Sequence, residues 1–271
     1  MGTYVLDGVA LDDPAGRWAV SDKTLLGPLP APALSAVTIP GVHGSAPVPP
    51  TVRGPGSHTV GLIVTDNDAA GKPGGHQQMR ANVAALWAIA APLGRLPDLR
   101  YYAAPDAPTW RAAAVRLLAA VEPEMHDPYT AEVVLPFDLP GVFWRESNEQ
   151  TIAVGQGGIV AELDGTTGSI TDPVLRFPGP VTDVRATDTA TGKTLRWSGN
   201  VPAGSFLRIE PATYTARVTT TSAWTGGADV SGGLSVGPGG FDLNPNAQQR
   251  VALTITGAPG ANQIRARRAF L

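Results

Sequence analysis

The stretch PVLRFPGPVTDVRATDTATGKTLRWSGNVPAGSFLRIEPATYTARV, residues 173–218, carries the reading of the whole chain. Short alternating runs follow one another in it, with turn residues between them. Leu195 and Trp197 interleave with Thr194, Arg196 and Ser198, and Leu207 and Ile209 interleave with Arg208 and Glu210. Each run thus has an apolar and a polar face with the period of two of a half-buried strand. Thr189-Ala190-Thr191-Gly192 separates two runs, and its glycine can take the positive φ that closes a hairpin. Pro202-Ala203-Gly204 has the same turn chemistry and is read as a second closure. The stretch predicts an antiparallel sheet forming half of a β-sandwich, with Leu195 and Trp197 in its core.

Outside this stretch, 271 residues are enough for two cores, and we expect two domains, 1–147 and 148–271. Glycine (32) and proline (26) are abundant, yet 43% of the residues are hydrophobic, so the chain can bury cores that a disordered chain of similar loop content could not. A net charge of −3 offers no broad basic field, which argues against sequence-specific nucleic-acid binding; the cluster Arg265, Arg267 and Arg268 is local. The absence of cysteine removes disulfides, thiolate catalysis and Cys-ligated zinc. No basic and apolar leader opens the sequence, and the longest apolar run, 83–91, is too short to span a bilayer. We therefore expect a soluble chain with no membrane insertion.

In the first domain, Thr3–Leu6 and Trp18–Val20 read as opening strands, and Pro28, Pro30 and Pro32 hold an extended connection. Residues 36–44, AVTIPGVHG, read as a strand ending in a Pro-Gly turn, and 59–64, TVGLIV, as the next strand. Over 76–91 the apolar residues Met79, Val83, Leu86, Trp87 and Ala90 follow a helical stripe that Pro92 ends, so one α-helix is predicted with Met79, Val83, Leu86 and Trp87 in the core. Leu99–Tyr102 reads as a strand. Residues 110–121 fit helix by their alanines and strand by Val115, Leu117, Ala119 and Val121, and are assigned as strand, paired with 132–137. Arg145–Thr151 reads as the linker. In the second domain 226–240 is read as a glycine-rich loop, followed by strands at 251–255 and near 263–270.

Several short patterns suggest chemistry. Gly233-Leu234-Ser235-Val236-Gly237 matches a hydrolase nucleophile elbow, but Pro238 and two glycines follow where a helix is required, and His43, His58, His76 and His126 all precede the serine, against the required chain order. Asp66-Asn67-Asp68 begins like a calcium loop, yet Ala70 and Gln77 stand where oxygen ligands belong. The histidines lack chelating spacing. Glu122 with Glu124, and Glu162 with Asp164, are pairs any such chain would contain. Gly155-Gln156-Gly157-Gly158 lacks a phosphate-binding lysine. The expectation is a protein without catalytic residues, metal or cofactor.

The order of these elements resembles phage distal tail proteins: an early strand with a Pro-Gly turn, a TVGLIV strand, one helix near residue 80, return strands, then the "TGKTLRW" hairpin and the "GNVPAGSFLRIE" return. The resemblance implies a mainly β fold, an N-terminal β-barrel-like domain with one α-helix plus a C-terminal galectin-like β-sandwich. It further implies a structural component of the virion tail tip, made in the host bacterial cytoplasm. Its partners would be five copies of itself in a homo-hexameric ring, the tail tube protein, a tail-tip protein and receptor-binding or fibre proteins. A first domain of short, proline-punctuated strands leaves sheet edges that a closed ring would cover. The competing reading is a carbohydrate-binding module, with Trp224, set among threonine and glycine, as an exposed platform for a glycan or partner.

Overall fold

The computed structural model describes residues 3–25, 54–102 and 111–271, with backbone also at 37–38 and 45–46. The chain divides into two compact units, residues 1–144 with 271, and residues 145–270. The expected Pro-Gly turn at 39–44, the prolines at 28–32 and Trp110 lie outside the described residues.

In the first unit β1 (Thr3–Leu6) and β2 (Val9–Ala10) form a hairpin around Asp7 and Gly8, both at positive φ (53° and 85°), the left-handed pair that a tight two-residue turn requires. Next come β3 (Trp18–Val20), β4 (Val37–Thr38) paired with β5 (Ser45–Ala46), and the long β6 (Gly56–Val64). Helix α1 (Gly75–Ala90) precedes β7 (Asp98–Tyr102), β8 (Arg111–Ala114), β9 (Arg116–Leu117), β10 (Glu124–Asp127) and β11 (Thr130–Leu139). β7 joins β1 to β8, and β11 pairs with β6 from Ala131↔Val64 to Leu139↔Gly56, with β3 beyond β6. Both sheets and the helix contribute to one core, which includes Leu6, Trp18, Leu62, Leu86, Leu99, Val133 and Phe137.

Two expectations change here. Residues 110–121 are not one strand: β8 lies in the sheet of β1 and β7, the fully buried Val115 donates its N–H to the Pro97 carbonyl, and β9 then joins the other sheet. Only Leu117 and Arg116 pair with β11, whose main partner is β6, and Leu118, Ala119 and Ala120 are exposed. The helix has the expected stripe, but Trp87 is 38% exposed and does not belong to the core. Met79, Asn82, Val83, Leu86 and Ala90 are the buried residues. At about 100° per residue, Trp87 sits roughly 85° from the centre of that stripe, at the edge of the buried face. Asn82 takes a place inside instead, its Nδ2 donating to the carbonyls of Thr65 and Asn67 at 2.8 Å.

β12 (Trp144–Glu146) and β13 (Gln150–Ala153) occupy the stretch read as a linker, and Glu146 is buried in an ion pair with Arg268. The second unit continues with β14 (Gly157–Ile159), β15 (Val174–Pro178), β16 (Val181–Asp188), β17 (Thr194–Val201), β18 (Phe206–Glu210) and β19 (Thr215–Thr219). Its remaining strands are β20 (Ala228–Asp229), β21 (Leu234–Val236), β22 (Ala252–Thr256), β23 (Gln263–Ala266) and β24 (Ala269–Phe270). One sheet runs β13-β23-β15-β18-β19-β20 and the other β14-β22-β16-β17-β21. Each buries one face: Leu175, Phe177, Leu207, Ile209 and Ile264 from the first, Val184, Leu195, Trp197, Leu253 and Ile255 from the second. The fold is mainly β, with one α-helix among the described residues.

Residues 173–218 therefore serve both sheets and are not half of the sandwich. β16 and β17 form the predicted hairpin, with Gly192 at φ 72° and the fully buried Asp188 accepting bonds from Thr191 and Asn244. Pro202-Ala203-Gly204 closes no hairpin, because β17 and β18 lie in different sheets; it carries the chain across. The loop expected over 226–240 contains β20 and β21, two strands too short for a periodic signal.

Candidate functional site

The outer face of the six-stranded sheet has an arginine row. β15, β18 and β19 are neighbours, and their register sets Arg176 opposite Arg208 and Arg208 opposite Arg217, with Asp229 of β20 facing Arg217. Directly opposed residues share a face, and like charges so placed repel. On β23, Gln263 faces Arg176, and Arg265 lies two pairs further, on the same face, opposite Val174. The strands alternate, so burying Leu175, Phe177, Leu207 and Ile209 inward sends Arg176 and Arg208 outward. They are nevertheless 8% and 5% exposed.

Part of the cover is the loop 220–227. Arg176 donates through Nη1 to the Ser222 carbonyl and through Nη2 to Gln263 Oε1. Its Cζ lies 4.3 Å from the centroid of the Trp224 ring, Arg265 Cζ lies 5.2 Å from that ring, and Phe206 flanks Arg176 at 5.4 Å. Arg217 Nη1 donates to the Gly227 carbonyl at 3.4 Å. Trp224 is accordingly half-buried, held by cation–π contacts rather than standing as a free platform. Burial pulls the Arg176 guanidinium below the usual arginine value. Arg208 Nε lies 3.0 Å from Glu210 Oε1, and Arg265 Nε 3.2 Å from Glu149 Oε2. Neither contact has hydrogen-bond geometry, and Arg208 Nη1 has no hydrogen-bond partner among the described residues. Sequence reading passed over this row because its arginines come from separate strands; arginine on the polar face of each run was the available signal.

The other patterns have structural uses. Ser235 is a mid-strand residue of β21 opposite Arg196, and all four histidines precede residue 145, so none lies in its unit. Asp68 Oδ1 accepts the N–H groups of Ala70 and Lys72, and Asp66 Oδ2 accepts that of Gly75 at the start of α1. Gly157 and Gly158 pair with Thr254 and Leu253 as strand residues of β14. Glu124 is bound to Lys23 and Asp164 lies near Arg250. Glu132, 6% exposed, accepts from Lys23, His126 and Ser21, and Lys23 as its nearest cation holds its carboxyl below the usual range. His76 Nδ1 lies 2.9 Å from the Pro128 carbonyl, while His58 is buried. His43 lies outside the described residues. Among the described residues no three His, Asp or Glu side chains converge to hold a metal, and no helix is long and apolar enough to cross a membrane. Of the expected core residues, Met79, Val83, Leu86, Leu195 and Trp197 are buried, and Trp87 is not.

No family model matches the sequence, and no curated protein matches it. Among solved structures, the chain is similar to the Dit (gp 19.1) protein of phage SPP1, described as a paradigm of the hub adsorption apparatus in Gram-positive infecting phages. The two share 16% sequence identity, the similarity covers 100% of each chain, and the TM-score is 0.64. That likeness is one of fold: the chain shares the architecture of SPP1 Dit over the full length of both chains.

Proposed function

We propose that this chain is a structural distal tail protein of a phage virion, in which the first unit joins a ring continuing the tail tube and the second projects outward as an anchoring domain of galectin-like form. The observation that carries the reading is the likeness to SPP1 Dit over the full length of both chains, taken together with the order of elements in the sequence. The ring is read as hexameric because a tail hub must match a six-fold tube, and heterologous contacts repeat until they close. Its partners are further copies of itself, the tail tube and tail-tip proteins, and receptor-binding or fibre proteins. Catalysis forms no part of the proposal. A sugar-binding role for Trp224 is the weaker reading, since the indole is held against Arg176 at 4.3 Å.

Cryo-electron microscopy of tail ends that incorporate this chain tests the proposal. Six copies per ring, with residues 1–144 around the channel and the second unit outside, is the expected result. Another symmetry, second units lining the channel, or absence of the chain from the tail would overturn it.

A further inference from the structure

We propose that the arginine row on the outer face of the six-stranded sheet is a docking site for the side-chain carboxylates of an acidic segment of a partner protein, admitted when the Trp224 loop lifts. Arg176, Arg208 and Arg217 stand side by side on adjacent strands, an arrangement that repels, and the first two are almost wholly buried. A buried cation is expensive unless a counter-charge meets it. Arg176 meets none among the described residues: its partners are a backbone carbonyl, a glutamine oxygen and two aromatic rings. Among the described residues Arg208 has a single carboxylate beside it, that of Glu210, off hydrogen-bond geometry, and its Nη1 is unpartnered. The row therefore holds more donor capacity than its surroundings use.

The loop 220–227, the part of the cover that lies on Arg176, Arg217 and Arg265, is replaceable. Ser222 and Gly227 hold the loop 220–227 to the sheet by neutral carbonyls bound to Arg176 and Arg217, and the Trp224 ring rests on Arg176 and Arg265. A carboxylate competes for those same donors with charge-assisted bonds roughly twice as strong as neutral ones, and a guanidinium fork receives it in bidentate fashion. Gly226 and Gly227, both at positive φ (71° and 103°), end the loop without side chains in the way. The rim already displays the matching chemistry, with the protein's own Glu210 and Glu149 beside Arg208 and Arg265. Those are protein side chains, and the indole on which a sugar would stack is engaged by arginine; both points favour an acidic peptide over an anionic glycan. Calling the partner a tail protein rests on the proposed function; the binding itself does not.

The test uses the full chain titrated calorimetrically with hexaglutamate peptide, with trigalacturonate and inorganic phosphate as comparison ligands. Hexaglutamate is expected to bind, more weakly as salt rises. Arg208→Met should weaken it about tenfold or more, the effect of one charge-assisted bond, while Tm holds or rises because an under-compensated buried charge has been removed. Arg196→Met, which removes a positive charge from the opposite sheet, should leave the affinity unchanged. Should Arg208→Met not fold, Arg176→Lys keeps the charge but loses the fork, and the same loss of affinity is expected. No hexaglutamate binding, equal binding of trigalacturonate or phosphate, or affinity indifferent to both row variants would each overturn the proposal. These outcomes are separate from the tail reading: a tail ring of six whose subunits ignore hexaglutamate rejects only the site, and a chain absent from tails that binds hexaglutamate through Arg208 rejects only the tail assignment.

Discussion

Replacing His58 by phenylalanine should flatten the acid limb of the first unit's stability. His58, on β6 opposite Phe137, is 3% exposed and lies 5.5 Å from the Tyr4 ring and 5.2 Å, edge-on, from that of Trp144. Its Nε2 has no hydrogen-bond partner among the described residues, and burial holds its pKa down at about 4, against an ordinary 6.5. Above pH 6.5 neither the folded nor the unfolded chain carries the proton. Between pH 6.5 and about 4 only the unfolded chain takes it up, so stability falls as pH falls; below about 4 both carry it and the loss is complete. At about 1.4 kcal/mol per pH unit over that window, the loss is about 3 kcal/mol. Carboxylates that titrate below pH 5 do so in both proteins and cancel in the difference. Hydrogen exchange of the β6 and β11 amides, corrected for intrinsic rates, gives the opening free energy within the full chain. The wild-type minus variant difference should shrink by about 3 kcal/mol between pH 7 and pH 4. Parallel pH profiles for the two proteins, or an NMR titration of His58 near 6.5, would refute the reasoning.

The remaining predictions concern packing and charge. Trp197, 1% exposed with its Nε1 donating to the Val230 carbonyl at 3.0 Å, should cost about 3–5 kcal/mol when changed to alanine, whereas Trp87→Ala, at the edge of the helix stripe, should cost about 1 kcal/mol or less; urea unfolding followed by circular dichroism compares them. A Cβ at Gly199 would lie 2.5 Å from the Trp197 ring, so Gly199→Ala should destabilise by about 1–3 kcal/mol. Gly232→Ala, with nothing within 4 Å, should be close to neutral in the same assay. Arg268→Ala should lower the melting temperature by an amount matching about 3–5 kcal/mol, because it leaves Glu146, whose side chain is 3% exposed, buried without its cation; equal melting temperatures would mean that Glu146 finds water.

By itself the sequence determined what depends on near neighbours along the chain. Alternation at Leu195 and Trp197, and at Leu207 and Ile209, marked strands and told which side chains go inside, because a strand exchanges faces at every residue whatever its partner. The spacing of Met79, Val83 and Leu86, with Pro92 beyond, marked the helix, and Gly192 marked a hairpin that formed. Tertiary structure decided which strands meet. A period of two is the same in either sheet, so nothing local separates β16 and β17 from β15, β18 and β19, or shows Pro202–Gly204 to be a crossing between sheets. Trp87 was decided by which edge of the stripe the two sheets reach, a matter of about 85° of helix rotation that Asn82 won through its bonds to distant carbonyls. The arginine row is the same kind of fact. Each arginine's outward direction was legible in its own strand, but that Arg176, Arg208 and Arg217 stand shoulder to shoulder, with Trp224 against Arg176, follows only from strand order and register, which the packing of the whole unit fixes.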